Sequence, residues 1–304
     1  YSHTLEKDII VDYDHESLSL MFMEALNKEY DGKLSLAIEI FKNNYHKKFL
    51  HQLVSSQLDM DRLDYLRRDS FFTGVSEGVI GSERIIKMLN VFEDNLVVDY
   101  KGIYSIEKFL IARRLMYWQV YLHKTVLSAE KVLESTLQRA KELISKGESL
   151  NASDSFLYFL NHKGNVDIEV LKKFSKLDDS DIMSSIKSWA DNKDKILSDL
   201  AYRLMNRRLF KIELQKNPFK DDYIKKIKSR IHDKFKVSES DLKYYLRQGS
   251  ISNAAYSANE EEIHILKHSK LTDVAKASDM FDQSALSYNV IKYYLCYPKE
   301  ILEN

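Results

Sequence analysis

Apolar and charged positions are closely interleaved between residues 55 and 74. At helical spacing this stretch carries four carboxylates and three arginines among regularly placed leucines and phenylalanines. An ordinary solvated helix face is less apolar than this, and an ordinary core helix is less charged. Gly74 is well placed to end such a helix, because glycine readily adopts the left-handed closing conformation. The pattern predicts a helix with these apolar positions: Leu58, Leu63, Leu66, Phe71 and Phe72.

One face of this predicted helix collects side chains that are suited to binding. Residues at i, i+4 and i+8 stack on one face, which places Asp61, Tyr65 and Asp69 in a row. Arg62 lies beside them. Two carboxylates and a phenol suit a metal or a polyhydroxylated ligand, and the planar guanidinium suits phosphate. The pattern alone leaves a structural alternative open, in which Asp–Arg pairs four residues apart stabilise the helix.

The order of residues in this stretch closely resembles a family signature. The string S-S-Q-L-D-x-D-R-x-D-Y-L-x-R-D-x-x-x-T-G is similar to the signature of the HD-domain dNTP triphosphohydrolase family. The resemblance implies that Asp61 is the last ligand of an H…HD…D metal site and that Arg62 faces the phosphates. It also implies that Tyr65 and Asp69 hold the deoxyribose.

A second informative pattern runs from Ser105 to about Lys141, where the spacing predicts one long helix. Its face is apolar at first and then basic and aromatic, which indicates a helix that leaves the core and forms the floor of a cleft. The family pattern x-R-x-x-x-[HY]-x-x-x-Y-x-H-K is similar to this segment. It implies that Arg113 binds phosphate and that Tyr117 and Tyr121 wall the sugar and the base. A buried tyrosine stripe with one snorkelling arginine stays open as the alternative.

The first residues carry the candidate catalytic side chains. The chain opens on Y-S-H-T-L-E, which resembles the end of the family motif H-D-x-G-H-G-P-[FY]-S-H-x-L-E. We therefore expect three of the four metal ligands upstream of Tyr1. The resemblance also implies that His3 lies near the phosphates and that His15, supported by Glu16, is catalytic. A histidine titrates near neutral pH and can act as a general acid or orient a water. The alternative is an exposed His15 at a helix start that neighbouring polar residues cap.

Composition limits the fold class and the cellular setting. Eight glycines and two prolines among 304 residues, with abundant Leu, Ile, Lys and Glu, predict a mainly helical protein. The 46 basic and 46 acidic side chains balance, so the overall charge favours neither nucleic acid nor an anionic membrane. No apolar run approaches the roughly 18 residues of a membrane span. The single Cys296 fits a reducing cytoplasm, and its aromatic neighbours predict a packing role.

Together the patterns predict a mainly α protein with an HD-domain helical core, an added helical layer and a small α+β C-terminal subdomain. We expect the core over residues 1–145, the helical region over 146–235 and the subdomain over 236–304. The aromatic-rich terminus predicts packing or a subunit interface. The helical region also bunches basic residues, which indicate either a solvated helix face or, as in regulated relatives, a contact to an activating nucleotide: Arg203, Arg207, Arg208 and Lys211.

The function implied by the resemblance is metal-dependent hydrolysis of a dNTP to a deoxynucleoside and triphosphate. The expected cofactor is a divalent metal ion such as Mn, Fe or Mg. The expected partners are the dNTP substrate, an activating nucleotide and further copies of the chain in a homodimer or higher homo-oligomer, with no membrane. Two alternatives stay open. One is an HD nucleotidase or phosphodiesterase acting on another phosphate ester, against which the Tyr65/Asp69 pair argues. The other is a non-catalytic HD scaffold that binds nucleotides.

Overall fold

The structure, a computed structural model, describes residues 15–162, 167–254, 256, 262–280 and 289–302. Helices dominate these residues and the strands are short, so the predicted mainly α fold with a small α+β part is confirmed. None of the described helices is long and apolar enough to cross a membrane. In chain order the α-helices are α1 (His15–Glu29), α2 (Ser35–Phe41), α3 (Lys48–Val54), α4 (Met60–Thr73), α5 (Ser82–Met88), α6 (Ile103–Met116), α7 (Lys124–Ser145), α8 (Asp154–Asn161), α9 (Ile168–Phe174), α10 (Asp179–Trp189), α11 (Lys195–Met205), α12 (Asp221–Phe235), α13 (Leu242–Tyr245) and α14 (Val274–Ala277).

The strands form two small sheets. The strands are β1 (Leu89–Phe92), β2 (Asn95–Asp99), β3 (Lys211–Gln215), β4 (Arg247–Asn253), β5 (His264–Lys267), β6 (Lys270–Asp273) and β7 (Val290–Tyr297). One sheet has the order β1-β2-β5-β6, with β2 and β5 parallel and the two outer pairings antiparallel. The other has the order β3-β7-β4, in which Ile212 faces Cys296 across the antiparallel β3–β7 ladder. Burial raises the pKa of the Cys296 thiol to about 12, in agreement with its predicted packing role.

The chain divides into two compact units, each built from separate segments. The first unit comprises the described parts of Tyr1–Phe22, Lys124–Ser250 and Lys292–Asn304, and the second comprises those of Met23–His123 and Ile251–Ile291. The core of the first unit is largely aromatic and aliphatic side chains of α7, α8, α10 and α11, including Leu137, Phe156, Phe159, Trp189 and Leu197. The predicted boundaries at residues 145 and 235 follow chain order, and they stay a prediction.

The second unit is organised around α4 and α6. Leu63 and Leu66 on α4 and Phe109 and Leu110 on α6 are buried in one core with residues of β2 and β5. As predicted, Gly74 ends α4 with a φ of 70°, in the left-handed region. The 3-10 turn Ser76–Gly78 then returns the chain against both helices. A Cβ on Gly78 would lie only 2.7 Å from the Met116 sulfur and 2.7 Å from the Ser70 Cβ. Only glycine therefore allows the turn to pack this closely between α4 and α6.

The prediction of one long helix from Ser105 to Lys141 is wrong. Helix α6 ends at Met116, a π-helical turn occupies Tyr117–Tyr121, and α7 begins at Lys124. Hydrophobic periodicity indicates which residues share a face, and it does not mark where one helix ends and the next begins. π-Helical turns are rare and occur frequently at functional sites. This one contains both tyrosines that the sequence singled out.

Candidate functional site

Helix α4 presents the signature residues on one face, and their exposure differs along the helix. Asp61 lies in the first turn and is exposed, whereas Tyr65 and Asp69 are half-buried. Asp59 caps the helix, because its carboxylate accepts from the backbone N–H of Arg62 at 2.7 Å. The two carboxylates of the D-x-D motif therefore differ in role. Asp59 accepts a hydrogen bond within the protein, whereas Asp61 is exposed and open to a ligand.

The structure brings five of the predicted substrate-binding residues together in the second unit. The Tyr121 hydroxyl donates to Oδ2 of Asp69 at 2.8 Å. The ring of Tyr121 meets Tyr65 edge to face at 5.9 Å between centroids and Tyr117 at 5.1 Å. Aromatic pairs favour such edge-to-face arrangements. We call this group the tyrosine cluster, and its members are Tyr65, Asp69, Arg113, Tyr117 and Tyr121.

Arg113 is the member of the cluster whose hydrogen-bonding capacity is not met. Its guanidinium carbon lies 6.0 Å from the centroid of the Tyr117 ring. Within the described residues, its Nε and Nη1 atoms are buried and have no hydrogen-bond partner. Buried polar atoms in proteins are nearly always paired, and an unpaired buried donor needs an explanation. An anion that enters the cluster would supply the missing acceptors.

Burial and neighbouring groups raise the pKa of two phenols of the cluster, Tyr65 and Tyr121. Burial is the largest cause that raises the pKa of Tyr65, followed by the neighbouring Tyr117, while the positive charges of Arg113 and Arg62 act in the opposite direction. Burial also raises the pKa of Tyr121, and the hydrogen bond to Asp69 adds to it. Both phenols are therefore neutral at physiological pH. A neutral phenol can donate a hydrogen bond and is not available as a base.

A side-chain hydrogen bond ties the π-helical turn to the neighbouring 3-10 turn. Nε2 of Gln119 donates to Oε1 of Glu77 at 3.0 Å. This bond is the largest cause that lowers the pKa of Glu77. The contact holds the segment between Tyr117 and Tyr121. No local sequence pattern predicts this contact, because the two partners are 42 positions apart.

Arg62, predicted to face phosphate, is itself held by the protein. Its Nη1 donates to Oδ2 of Asp59 and to the carbonyl oxygen of Ser56. Sequence reasoning missed Asp59, although a signal was present. An Asp directly before an amphipathic helix is a preferred N-cap, and the residue three positions later is within reach of its carboxylate.

The candidate catalytic residues are described only in part. His15 and Glu16 are exposed and form the start of α1, in the first unit. His3 lies outside the described residues. The roles of all three stay predictions.

The described residues offer part of a donor set for a divalent metal. Across residues 15–162, 167–254, 256, 262–280 and 289–302, no group of three or more His, Cys, Asp or Glu side chains is placed to hold a metal ion. Asp61 is exposed and carries an oxygen donor of the kind that divalent metals accept. Asp61 therefore fits a metal as the source of one ligand.

The predicted basic cluster of the first unit divides into buried and exposed members. Arg203 is buried, donating to Asp199 at 2.8 Å and to Glu300 at 2.9 Å. It also stacks between two rings, with centroid distances of 5.4 Å to Phe210 and 5.5 Å to Phe235. Arg203 thus belongs to the core of the unit, and only the exposed members remain open to a nucleotide: Arg207, Arg208 and Lys211.

Comparison with known proteins relates this chain to a protein family. Residues 80–163 match the family described as the HD associated region. The Bacillus subtilis (strain 168) protein YwfO is 32% identical over 318 residues, which cover 99% of this chain and 71% of YwfO. A deoxynucleoside triphosphate triphosphohydrolase SAMHD1 homolog from Dictyostelium discoideum is 24% identical over 54% of this chain and 35% of that protein.

A solved structure agrees with these matches. The crystal structure of the phosphohydrolase BT4208 from Bacteroides thetaiotaomicron superposes with a TM-score of 0.92 and 51% sequence identity, covering 97% of this chain and 75% of that one. Similarity at this level extends over nearly the whole chain. The chain belongs to the HD-domain phosphohydrolase family.

Proposed function

We propose that the protein hydrolyses a dNTP to a deoxynucleoside and inorganic triphosphate. The observation that carries the proposal is the tyrosine cluster, in which a fixed carboxylate, three aromatic walls and an unsatisfied guanidinium converge. A deoxynucleotide presents a hydroxyl, flat apolar surfaces and a chain of negative charge. Each part of the cluster is complementary to one of these features.

Asp69 is suited to hold a sugar hydroxyl. One of its oxygens accepts from Tyr121, and this contact fixes the orientation of the carboxylate. Because the carboxylate is held in this orientation, its second oxygen is positioned to accept a hydrogen bond from the 3′-hydroxyl of the substrate. The rings of Tyr65 and Tyr117 offer flat aromatic surfaces against which the sugar and the base pack. The buried donors of Arg113 bind the phosphate chain through charge-assisted hydrogen bonds, which are roughly twice as strong as neutral ones.

The order of residues along α4 sets the position of the cleaved bond. Tyr65 and Asp69 follow Asp61 by one and two helical turns, about 6 and 12 Å along the axis. The sugar then lies beyond Asp61 and the α-phosphate lies next to it. Water attacks the α-phosphorus, the bond between this phosphorus and the 5′-oxygen breaks, and the 5′-oxygen takes up a proton. All three phosphates leave together.

A divalent metal ion is part of the proposal. Asp61 would contribute one carboxylate oxygen, with the other ligands outside the described residues. When bound, the metal supplies a Lewis acid and lowers the pKa of a coordinated water. The catalytic roles of His3 and His15, with Glu16 in support of His15, stay predictions from the family resemblance.

Product analysis tests the proposal. The protein is incubated with each dNTP and with Mn²⁺, Fe²⁺ or Mg²⁺, with and without a second nucleotide as activator, and the products are resolved by anion exchange. We expect triphosphate and deoxynucleoside as first products. Orthophosphate or dNMP as first product would contradict the reaction, and absence of turnover under all conditions would favour a binding scaffold.

Two variants on the same helix control this assay. Asp61→Asn removes the proposed ligand charge and is expected to abolish triphosphate release. Asp64→Asn removes an equal charge one turn away, from a side chain that is exposed and paired with Arg68, and is expected to retain it. Equal activity of the two variants would remove Asp61 from the mechanism.

The assembly state is a separate part of the proposal. We propose a homodimer or higher homo-oligomer, since the exposed rings of Phe71 and Phe72, which are 80% and 78% accessible, are typical of residues that interfaces cover. Sedimentation at micromolar concentration is expected to show more than one copy. A monomer would contradict this part and leave the reaction untouched.

A further inference from the structure

Asp59 is buried just before α4, with 3% of its surface exposed. Its Oδ1 accepts from the backbone N–H of Arg62 at 2.7 Å. Its Oδ2 accepts from the backbone N–H of Ser56 at 3.2 Å and from Nη1 of Arg62. The Ser56 carbonyl oxygen accepts from the same Nη1. A buried carboxylate is tolerated only when partners satisfy it. These contacts therefore fix both the start of the helix and one nitrogen of the arginine.

Only one edge of the Arg62 guanidinium is used in this way. In the part of the chain that the structure describes, Nη1 makes both side-chain contacts, and Nε and Nη2 have no partner. The side chain is 28% exposed. Arginine carries five N–H donors in a rigid, planar fork. Fixing Nη1 therefore orients the remaining donors without using them.

The anchored guanidinium lies beside the tyrosine cluster. Arg62 and Tyr65 are three positions apart on α4 and so are neighbours on the helix surface. The positive charges of Arg62 and Arg113 both act on the Tyr65 hydroxyl. Two guanidinium groups, one from α4 and one from α6, are thus close enough to Tyr65 for their charges to act on its hydroxyl.

We propose that Asp59 is a positioning residue, which holds Arg62 so that the free edge of its guanidinium receives the phosphate chain of the substrate. The inference rests on the proposed function, which supplies a polyphosphate ligand. Ordering a long side chain during binding costs free energy, and a side chain that is ordered beforehand avoids this cost. The anchor also directs charge-assisted hydrogen bonds, whose strength depends on geometry.

Simple charge counting predicts the opposite effect. The carboxylate of Asp59 is negative and would repel a polyphosphate. If repulsion were its main effect, removal of the charge would tighten anion binding. If positioning is its main effect, removal weakens binding. The sign of the change in affinity therefore distinguishes the two accounts.

Asp59→Asn separates the anchor from the helix cap. Asparagine is about as good an N-cap as aspartate, so α4 is retained. Its NH₂ group replaces one acceptor and meets Nη1 donor to donor. Calorimetric titration with inorganic triphosphate and Mg²⁺ is expected to show about tenfold weaker binding, the loss of one oriented charge-assisted contact. The matched control Asp64→Asn, whose exposed partner is Arg68, is expected to bind like the wild type.

A double-mutant cycle assigns the effect to Arg62. In an Arg62→Ala background, Asp59→Asn is expected to cause no further loss of triphosphate affinity, because the group that Asp59 positions is gone. An equal loss in both backgrounds, or unchanged or tighter binding by the single variant, would overturn the inference. If Asp59→Asn does not fold, Arg62→Lys carries the test. Lysine keeps the positive charge but lacks the planar guanidinium, so this variant is expected to bind triphosphate more weakly than the wild type. Wild-type affinity would overturn the inference.

Failure of this inference is distinguishable from failure of the proposed reaction. Release of triphosphate from a dNTP by the wild type, without coupling between Asp59 and Arg62, would overturn the inference alone. Coupling in triphosphate affinity without any dNTP turnover would overturn the reaction. A wild type that does not bind inorganic triphosphate would overturn both.

Discussion

Arg113 in the second unit and Arg203 in the first are both helical arginines that place nitrogens in the protein interior beside an aromatic ring. They differ in what their N–H groups meet. Arg203 donates to Asp199 and Glu300. Among the described residues, Nε and Nη1 of Arg113 meet no acceptor. The guanidinium of Arg203 thus has hydrogen-bond acceptors, whereas two nitrogens of the Arg113 guanidinium have none among the described residues.

This difference separates a structural role from a binding role. A buried charge with partners stabilises a fold only as long as every partner is present. A buried donor without a partner costs free energy, and a fold retains it where a ligand uses it. The comparison predicts that one substitution will have opposite consequences at the two positions. Methionine is suitable, because it keeps the apolar stem and removes the charge.

Arg203→Met is expected to have the largest effect, and on stability alone. Asp199 and Glu300 would lose their common partner, and breaking a buried ion pair from one side costs about 3–5 kcal/mol. Urea unfolding measures this loss, with Arg208→Met as control, since Arg208 is exposed. The folded fraction should keep its activity per molecule. Unchanged stability would mean that Arg203 is not a structural group.

Arg113→Met is expected to affect activity and not stability. Loss of a positioned cation that contacts developing phosphate charge typically lowers the rate by about 10²–10³-fold, or about 2.7–4 kcal/mol. The free energy of unfolding should be unchanged or higher, because buried donors without acceptors are removed. Triphosphate release and urea unfolding are measured on the same preparation. A variant that is destabilised and still active would assign a structural role to Arg113 and contradict the comparison.

Glu142 provides a smaller test in the ion network of the first unit. It accepts from Lys146 and Tyr244, and these hydrogen bonds lower the pKa of Glu142 from 4.5 to about 2. A depressed carboxyl pKa stabilises the fold above the unfolded value, and this contribution is lost as the pH falls from about 4.5 towards 2. Its size is about 1–2 kcal/mol once solvent screening of the partly exposed group is allowed for.

The test compares the wild type with Glu142→Gln in urea unfolding across this pH range. The difference in unfolding free energy should be present at pH 6 and should disappear near pH 2. A difference that does not depend on pH would assign the effect to packing. The tyrosine cluster lies in the second unit, so the activity at pH 7 should not change.

Local chemistry was predictable from the sequence where it depends on one helix. The signature predicted α4, its closure by Gly74 and the face that carries Asp61, Tyr65 and Asp69. These features follow from periodicity and capping, which act over a few residues. The spacing of Arg113, Tyr117 and Tyr121 also predicted that they share a face, and the structure brings them together.

Features that depend on contacts distant in sequence were not predictable. The pair Arg203–Glu300 joins residues 97 positions apart, so a basic cluster read as a surface feature is in part a core feature. The π-helical turn interrupts the predicted helix, because hydrophobic periodicity indicates a shared face and does not mark where a helix is interrupted.

Hydrolysis in H₂¹⁸O tests most directly the claim that the tyrosine cluster holds the sugar and the phosphate chain so that cleavage falls at the α-phosphate. The products of a dNTP are separated and analysed by mass spectrometry. The account predicts one ¹⁸O atom in the released triphosphate and none in the deoxynucleoside, because water bonds to phosphorus and the 5′-oxygen leaves with the sugar. Recovery of ¹⁸O in orthophosphate, in dNMP or in the deoxynucleoside would contradict it.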